Sequence, residues 1–453
     1  MVTGTAVDRD RRGAPAGGLR RILGLGFGLA VIVGGTLGVG ILRTPGLVAA
    51  QLASPSRILL VWLLGGLYTL LGSLCLTELG TMLPQAGGYY VYARRAFGDG
   101  VGFAVGWTDW LTYCAVLGYV SIGIGEFSAV LVPSLAPLVR LVAVGALVSF
   151  TLLQWAGLRV SSRFQEFATA VKFLAFLLLV AAGLAYAGPG PALGAASGLA
   201  PAPALRGVVV ALQSVVVTYG GWQSALYFTE GDRDPPRNLP RSMIGGVLSV
   251  VAVYLLVNLA LLRVLSVPLL AASTLPAAEA ARAIAGDRGG LLITVLSLVS
   301  LPPLLNVLMM IGTRILFALG RDGRLWAGVA VVNARGTPTR ATLVTTAVAV
   351  LLIASGTFQK LVAVASFFLA ANYCVCCLTL FVLRRREPAL PRPFRAWGYP
   401  WSAAVVLAGA VAFLAGVVLE DTRTGLVAVV LLAVGLLARA WVRPRPAAAA
   451  FGG

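Results

Sequence analysis

The residues best placed to do chemistry in this chain are two glycine-rich interruptions and one lysine. Gly34-Gly-Thr-Leu-Gly-Val-Gly40, with Pro45-Gly46 close behind, and Thr218-Tyr-Gly-Gly-Trp222 each cut a long apolar run. Glycine weakens a helix, and irregular backbone at membrane depth is tolerated only where protein buries it or where it lines a cavity. Broken helices at corresponding places in two halves of a chain are a pointer to a solute site in membrane transporters. Close helix–helix packing is the competing use of such glycines. Lys172 is one of only two lysines among 35 basic residues, arginine serving everywhere else. Nine residues into an apolar span, it sits about 13 Å deep, near the bilayer middle. A lysine there is expensive and must face the protein interior, and unlike arginine it can release its proton. Proton coupling, a fixed charge and a structural pin between helices are the open readings for it.

What holds these residues must be a membrane scaffold. Of 453 residues, 59% are apolar and 11% charged, and the mean hydropathy is +0.92. A soluble domain needs about a quarter of its residues charged to cover its surface. That excludes a soluble enzyme, a disordered regulator and a disulfide-stapled secreted scaffold. The chain has no histidine, hence no imidazole base, metal ligand or near-neutral proton shuttle. Cys75, Cys114, Cys374, Cys376 and Cys377 lie in apolar runs, and the Cys374-Val-Cys-Cys cluster lacks the polar partners of a metal site. No G-x-x-x-x-G-K-[ST] loop occurs, which argues against ATP-driven pumping. Paired acid/base or metal ligands for an intramembrane enzyme are likewise not seen. No cofactor or metal is expected.

At about 20 apolar residues per crossing, twelve spans are read: 24–49, 57–82, 101–131, 137–157, 163–187, 206–229, 241–264, 289–318, 339–356, 360–384, 401–419 and 424–442. The pair on either side of Gly356-Thr-Phe-Gln359 is the weakest. The net charge of +19 would suggest nucleic acid on a soluble protein. Here retention of basic loops in the cytoplasm explains it, and no nucleic-acid partner is expected. Twenty-four basic residues fall on the N-terminal side of the spans and seven on the other, so both termini are expected in the cytoplasm of a multi-pass cell-membrane protein. Arg9, Arg11, Arg12, Arg20 and Arg21 precede a first apolar stretch long enough to span, with no cleavage site, so no signal peptide is read.

Several motifs then fall into a familiar order. Gly34 to Gly46 (GGTLGVGILRTPG) resembles the first-helix signature of the amino acid–polyamine–organocation permeases. Thr218 to Ser242 (TYGGWQSALYFTEGDRDPPRNLPRS) resembles their sixth helix and the following loop. Thr77-Glu-Leu-Gly with Pro84 to Gly98, Ser300 to Gly323 ending in Arg321-Asp-Gly323, and Arg392 to Pro400 resemble later landmarks of the same family. The resemblance covers about residues 20 to 440. It implies an all-α polytopic membrane protein of about twelve transmembrane helices with a leucine-transporter-like 5+5 inverted repeat and two peripheral helices. The parts would be a cytoplasmic tail at 1–22, a first repeat at 23–187, a second at 206–385, peripheral helices at 400–442 and a cytoplasmic tail at 443–453. The implied function is secondary active transport of amino acids or related amines by alternating access, as proton-coupled symport or as an amino acid, amine or polyamine exchanger. The partners would be a small-molecule substrate, the bilayer and protons as a coupling ion.

An amino acid's carboxylate needs donors and its ammonium needs acceptors; an uncoiled helix supplies both. By resemblance, the carboxylate meets the amides of Gly38, Val39 and Gly40. The ammonium meets carbonyls near Thr36 and Leu37 and those of Val217, Thr218 and Gly220, with Tyr219 and Gly221 completing the site. The family often has Ser at the place of Val39, so one hydroxyl is missing here. It frequently has a bulky aromatic at the place of Val217; either the pocket admits a larger side chain or another aromatic closes it. Lys172 falls where some sodium-coupled relatives hold the ion, its ammonium facing carbonyls of the broken first helix and Ser300 of the eighth. Among the other intramembrane charges, Glu78 reads as a structural hydrogen-bond acceptor, and Asp109 and Glu126 could line the pathway, serve as carboxylates for a polyamine, or equally well pair with arginine or backbone. Pro302-Pro303 reads as a kink in the eighth span.

Overall fold

The computed structural model describes residues 19–188, 203–355, 358–420 and 422–441. Most of the expected N-terminal tail, the expected C-terminal tail and the Gly356-Thr357 link lie outside the described residues. All regular elements among the described residues are helical. The first expected span is broken into α1 (Leu25–Thr36) and α2 (Gly40–Leu52). It is followed by α3 (Pro55–Met82), a short connecting α4 (Tyr89–Phe97), α5 (Asp99–Leu131), α6 (Val139–Trp155) and α7 (Leu158–Leu184). The sixth is broken into α8 (Leu205–Thr218) and a 3-10 segment, Trp222–Gly231. Then come α9 (Pro235–Val264), the short α10 (Val267–Ala272) and α11 (Pro276–Ala285), α12 (Arg288–Arg321), α13 (Thr339–Ser355), α14 (Phe358–Arg386), α15 (Trp401–Glu420) and α16 (Thr422–Trp441). Helices thus occupy each of the twelve expected positions. Among the described residues, eight helical segments are long and apolar enough to cross a bilayer, and the bent pair α1–α2 makes a ninth. Shorter apolar helices occupy Thr339–Ser355 and Trp401–Gly416.

Local sequence explains where these helices start and stop. Pro55 and Pro235 stand in the first turns of α3 and α9, where proline's missing N–H is not needed. Pro302 and Pro303 lie inside α12, which runs as one helix across both; in a packed membrane bundle neighbouring groups re-satisfy the freed carbonyls. The lipid face is legible on α3, where Leu60, Leu63, Leu64 and Leu67 form an exposed stripe at helical spacing while Val61, Trp62, Gly65 and Gly66 are buried.

The core is in two bodies. One contains Phe27, Val31, Ile32, Leu74, Trp222, Tyr227, Met243, Val247, Leu301 and Met310. The other contains Val33, Leu37, Ile41, Trp62, Tyr219, Val250, Tyr254, Ile293 and Leu296. Along five elements the division falls at one level, between Ile32 and Val33, Trp62 and Leu74, Tyr219 and Trp222, Val247 and Val250, Leu296 and Leu301. The break in the sixth span lies on that division, whereas the break in the first, flanked by Val33, Leu37 and Ile41, lies just inside the second body. The far end of the first body is a basic face held by ion pairs. There Arg321 meets Glu230 at 2.7 Å, Arg94 meets Asp99 at 2.9 Å and also Asp322, and Arg95 meets Glu387 at 2.9 Å. The chain entering α1 is stitched to the end of the 3-10 segment by Leu23 N donating to Gly231 O and Arg233 N donating to Leu23 O, both at 3.0 Å.

Candidate solute site at the two broken helices

Between α1 and α2 the axis turns by 47°. Leu37 still donates to Val33 O at 2.9 Å, but its own backbone is extended (φ −68°, ψ 111°). Helical bonding resumes with Leu42 N on Val39 O at 3.1 Å. The amides of Gly38 and Val39 donate to no main-chain carbonyl among the described residues. In the sixth span, Tyr219 N donates to Val215 O at 3.0 Å and Gly220 N to Val217 O at 2.9 Å, after which Gly221 adopts φ 114°. That conformation favours glycine, and the space demands it as well. A methyl group at Gly221 would run into the carbonyl of Gly35 and the amide of Thr36. The two breaks therefore touch main chain to main chain.

A single side chain ties them together. Tyr254 of α9 offers its hydroxyl proton to Thr36 O at 2.7 Å and to Thr218 O at 3.0 Å. The carbonyls that end the two first half-helices are thus held in one place by a phenol. Thr44 and Thr218 add a buried hydroxyl contact at 2.8 Å, and Gly40 packs on the Thr218 methyl. The Thr36 hydroxyl is buried at the break with no hydrogen-bond partner among the described residues. Gly40 and Val217 are exposed and Val39, Gly220 and Gly221 half-buried, whereas Trp222 through Thr229 are all buried.

Lys172 is fully buried and donates from Nζ to Gly34 O at 2.9 Å. Two further side chains of the same α7 face, Gln165 and Thr169, donate to Ala30 O at 3.3 and 3.1 Å. A side chain at Gly34 would collide with both. Behind them Asn306 of α12 donates to Gln165 Oε1 at 2.8 Å and accepts from Gln154 at 2.7 Å. The last helical turns of α1 are thus anchored on their carbonyl side by α7.

Not every expected residue faces the breaks with its side chain. Tyr219 is buried against Trp62 and Tyr254, and its hydroxyl donates to Trp62 O at 3.1 Å. The Val217 side chain is about half exposed, at 48%. Ser300 is buried on α12 and donates to Ser297 O at 2.8 Å. Among the other charges, Glu78 accepts from Arg384 at 2.8 Å and from the Ala396 amide at 2.7 Å, with Arg392 at 3.3 Å. Asp109 accepts from the Tyr227 hydroxyl at 2.7 Å, and Glu126 is exposed. Tyr254 escaped sequence reading because a lone tyrosine in an apolar run looks like core. Gln165 and Thr169 carried a signal, since with Ser161 and Lys172 they recur at helical spacing along one face of the fifth span.

The sequence profile of the amino acid permease family matches residues 27–436. The chain is 27% identical over 412 residues to the serine/threonine exchanger SteT of Bacillus subtilis, covering 90% of this chain and 93% of that protein. It is 29% identical over 387 residues to the mouse Asc-type amino acid transporter 1, covering 83% of this chain and 73% of the other. With the mouse b(0,+)-type amino acid transporter 1 it shares 26% over 388 residues, covering 83% and 79%.

Proposed function

The chain belongs to the amino acid permease family, and from that premise we propose that it exchanges amino acids or related amines across the cytoplasmic membrane by alternating access. The observation that carries this is the meeting of two uncoiled helices at one level, with unpaired amides at Gly38 and Val39 and the Thr36 hydroxyl without a partner. Those donors suit a carboxylate. The carbonyls of Thr36 and Thr218 suit an ammonium, whose three protons can take the place of the one that Tyr254 shares between them. Leu37, Val39, Gly40, Val217, Gly220 and Gly221 shape the space around the two charged groups. The relatives are transporters, not enzymes, and the one spanning 90% of this chain is named an exchanger.

In this reading the basic face is cytoplasmic, as the bias of arginine to that side requires, and both termini lie there. Residues 23–187 and 206–385 act as inverted repeats whose first helices are the broken ones. Lys172 supplies a fixed positive charge beside the α1 carbonyls, the position an inorganic cation would otherwise fill. Proton-coupled symport is the second reading, and it is favoured by one feature: the buried cation is a lysine, which can release its proton, in a chain that otherwise uses arginine. The test is uptake of a panel of radiolabelled L-amino acids into proteoliposomes. Exchange predicts saturable uptake that requires an internal amino acid and ignores a pH gradient. Uptake into empty vesicles that follows an imposed gradient replaces exchange by symport, and uptake of no amino acid or amine removes both.

A further inference from the structure

Lys172 and Arg314 are both buried cations with no carboxylate at ion-pair distance among the described residues. Lys172 belongs to the solute site; Arg314 does not. Arg314 lies on α12 and is 4% exposed. Its Nη1 donates to Met310 O, one turn back, at a long 3.4 Å, and its Nε has no partner. Its guanidinium lies over the ring of Phe228, 4.4 Å from the centroid. The carboxylate on the same 3-10 segment, Glu230, is engaged by Arg321 at 2.7 Å and by the Ala86 amide at 2.8 Å. A guanidinium carries five donors in a fork that matches a carboxylate. Burying one with that capacity largely unused is costly, so an anion that reaches it gains the charge-assisted bonds now unmade.

The position says which anion. Val307 of α12 lies beside Gly35 at the break, where a methyl on Gly35 would touch it at 3.6 Å. Arg314 is seven residues farther along the same helix face, about 10 Å toward the basic face, and Arg321 another seven, in the ion-pair layer that closes that face. Phe228 stands between Arg314 and the first half of the broken helix, with its ring edge-on to Phe27 of α1 at 5.0 Å. Phe27 and Phe228 belong to the half-helices α1 and 222–231, whose ends are stitched together at Leu23 and Gly231.

We propose that Arg314 is a second, transient binding station for the α-carboxylate of the transported amino acid, on the path between the central site and the cytoplasm. When α1 and the 222–231 segment swing away from α12, Phe27 and Phe228 part and uncover the guanidinium. The carboxylate then leaves the amides at the break for a bidentate pair with Arg314, about one solute length away, before escaping past Arg321. The proposal rests on the amino acid transport reading. It adds that the inner half of the path offers a side chain with full positive charge.

The test uses the full chain in proteoliposomes, with radiolabelled L-serine or another neutral L-amino acid that the unaltered protein takes up. Half-saturation is measured separately from each face. Arg314→Met is expected to raise the cytoplasmic value at least tenfold and to leave the external value within twofold, and Arg314→Lys to recover part of the loss. Phe228→Ala, which thins the cover while keeping the guanidinium, is expected to lower the cytoplasmic value alone, and decides the matter should Arg314→Met fail to reach the membrane folded. Equal shifts on both faces, or none, overturn the station while leaving transport intact. Failure of the unaltered protein to move any amino acid overturns the transport reading and the station with it.

Discussion

Lys172 concentrates the chemistry of the site in one nitrogen. Its ammonium satisfies Gly34 O at 2.9 Å, so Lys172→Ala leaves that carbonyl bare and opens a void. We expect the initial rate of amino acid exchange in proteoliposomes to fall at least tenfold. Lys172→Arg keeps a charge that cannot be released, and under exchange it retains measurable, pH-independent transport; complete loss would favour proton coupling. Tyr254 makes a different prediction. Tyr254→Phe strands the carbonyls of Thr36 and Thr218 and is expected to destabilise the protein by about 1–3 kcal/mol, read as a lower unfolding midpoint in detergent. At this scale legibility followed rarity. A lysine in an arginine-rich chain stands out, and a glycine pair inside an apolar run stands out, but a tyrosine among leucines does not. Arg314 lies inside the eighth expected span, 289–318, yet only packing revealed that no carboxylate among the described residues is at ion-pair distance from it.

Among the elements, the broken helices were legible because paired glycine-rich interruptions cut apolar runs at corresponding places of two halves, and runs of about 20 apolar residues located all twelve helical positions. What escaped were α4, α10 and α11. None offers the 20 or so apolar residues that mark a crossing, and short connecting helices owe their form to what they pack on. Pro302-Pro303 was read as a kink, and α12 continues through both as one helical element. Gly221 carries the element-scale prediction. Its positive φ and its contact with the Gly35 carbonyl both forbid a side chain, so Gly221→Ala pushes the two breaks apart. Exchange is expected to fall below detection while the circular-dichroism helix signal stays unchanged. Glu78 illustrates the opposite, purely architectural use of an intramembrane charge. Held by two arginines and the Ala396 amide, it fastens α3 to the end of α14 and the loop before α15. Glu78→Gln is expected to cost about 3–5 kcal/mol, seen as a lower unfolding midpoint, with half-saturation for the solute unchanged in protein that remains folded.

For the whole molecule, the telling feature is that the core is chiefly two bodies, divided at the sixth-span break and about a turn before the first-span break. Nothing in composition or periodicity could announce that, since each span is apolar on both sides of the divide. In the transport reading proposed above, the solute lodges beside that division. An occupant there acts as a rivet between the two storeys. Deuterium uptake should slow together at 33–39 and 215–222 when the solute is added, while the ion-paired basic face keeps its own pace. The unfolding midpoint should climb with solute concentration in proportion to RT ln(1 + [L]/Kd). A carrier built on this plan is loosest when empty, and each cargo it accepts is also, for the length of its stay, a part of its frame.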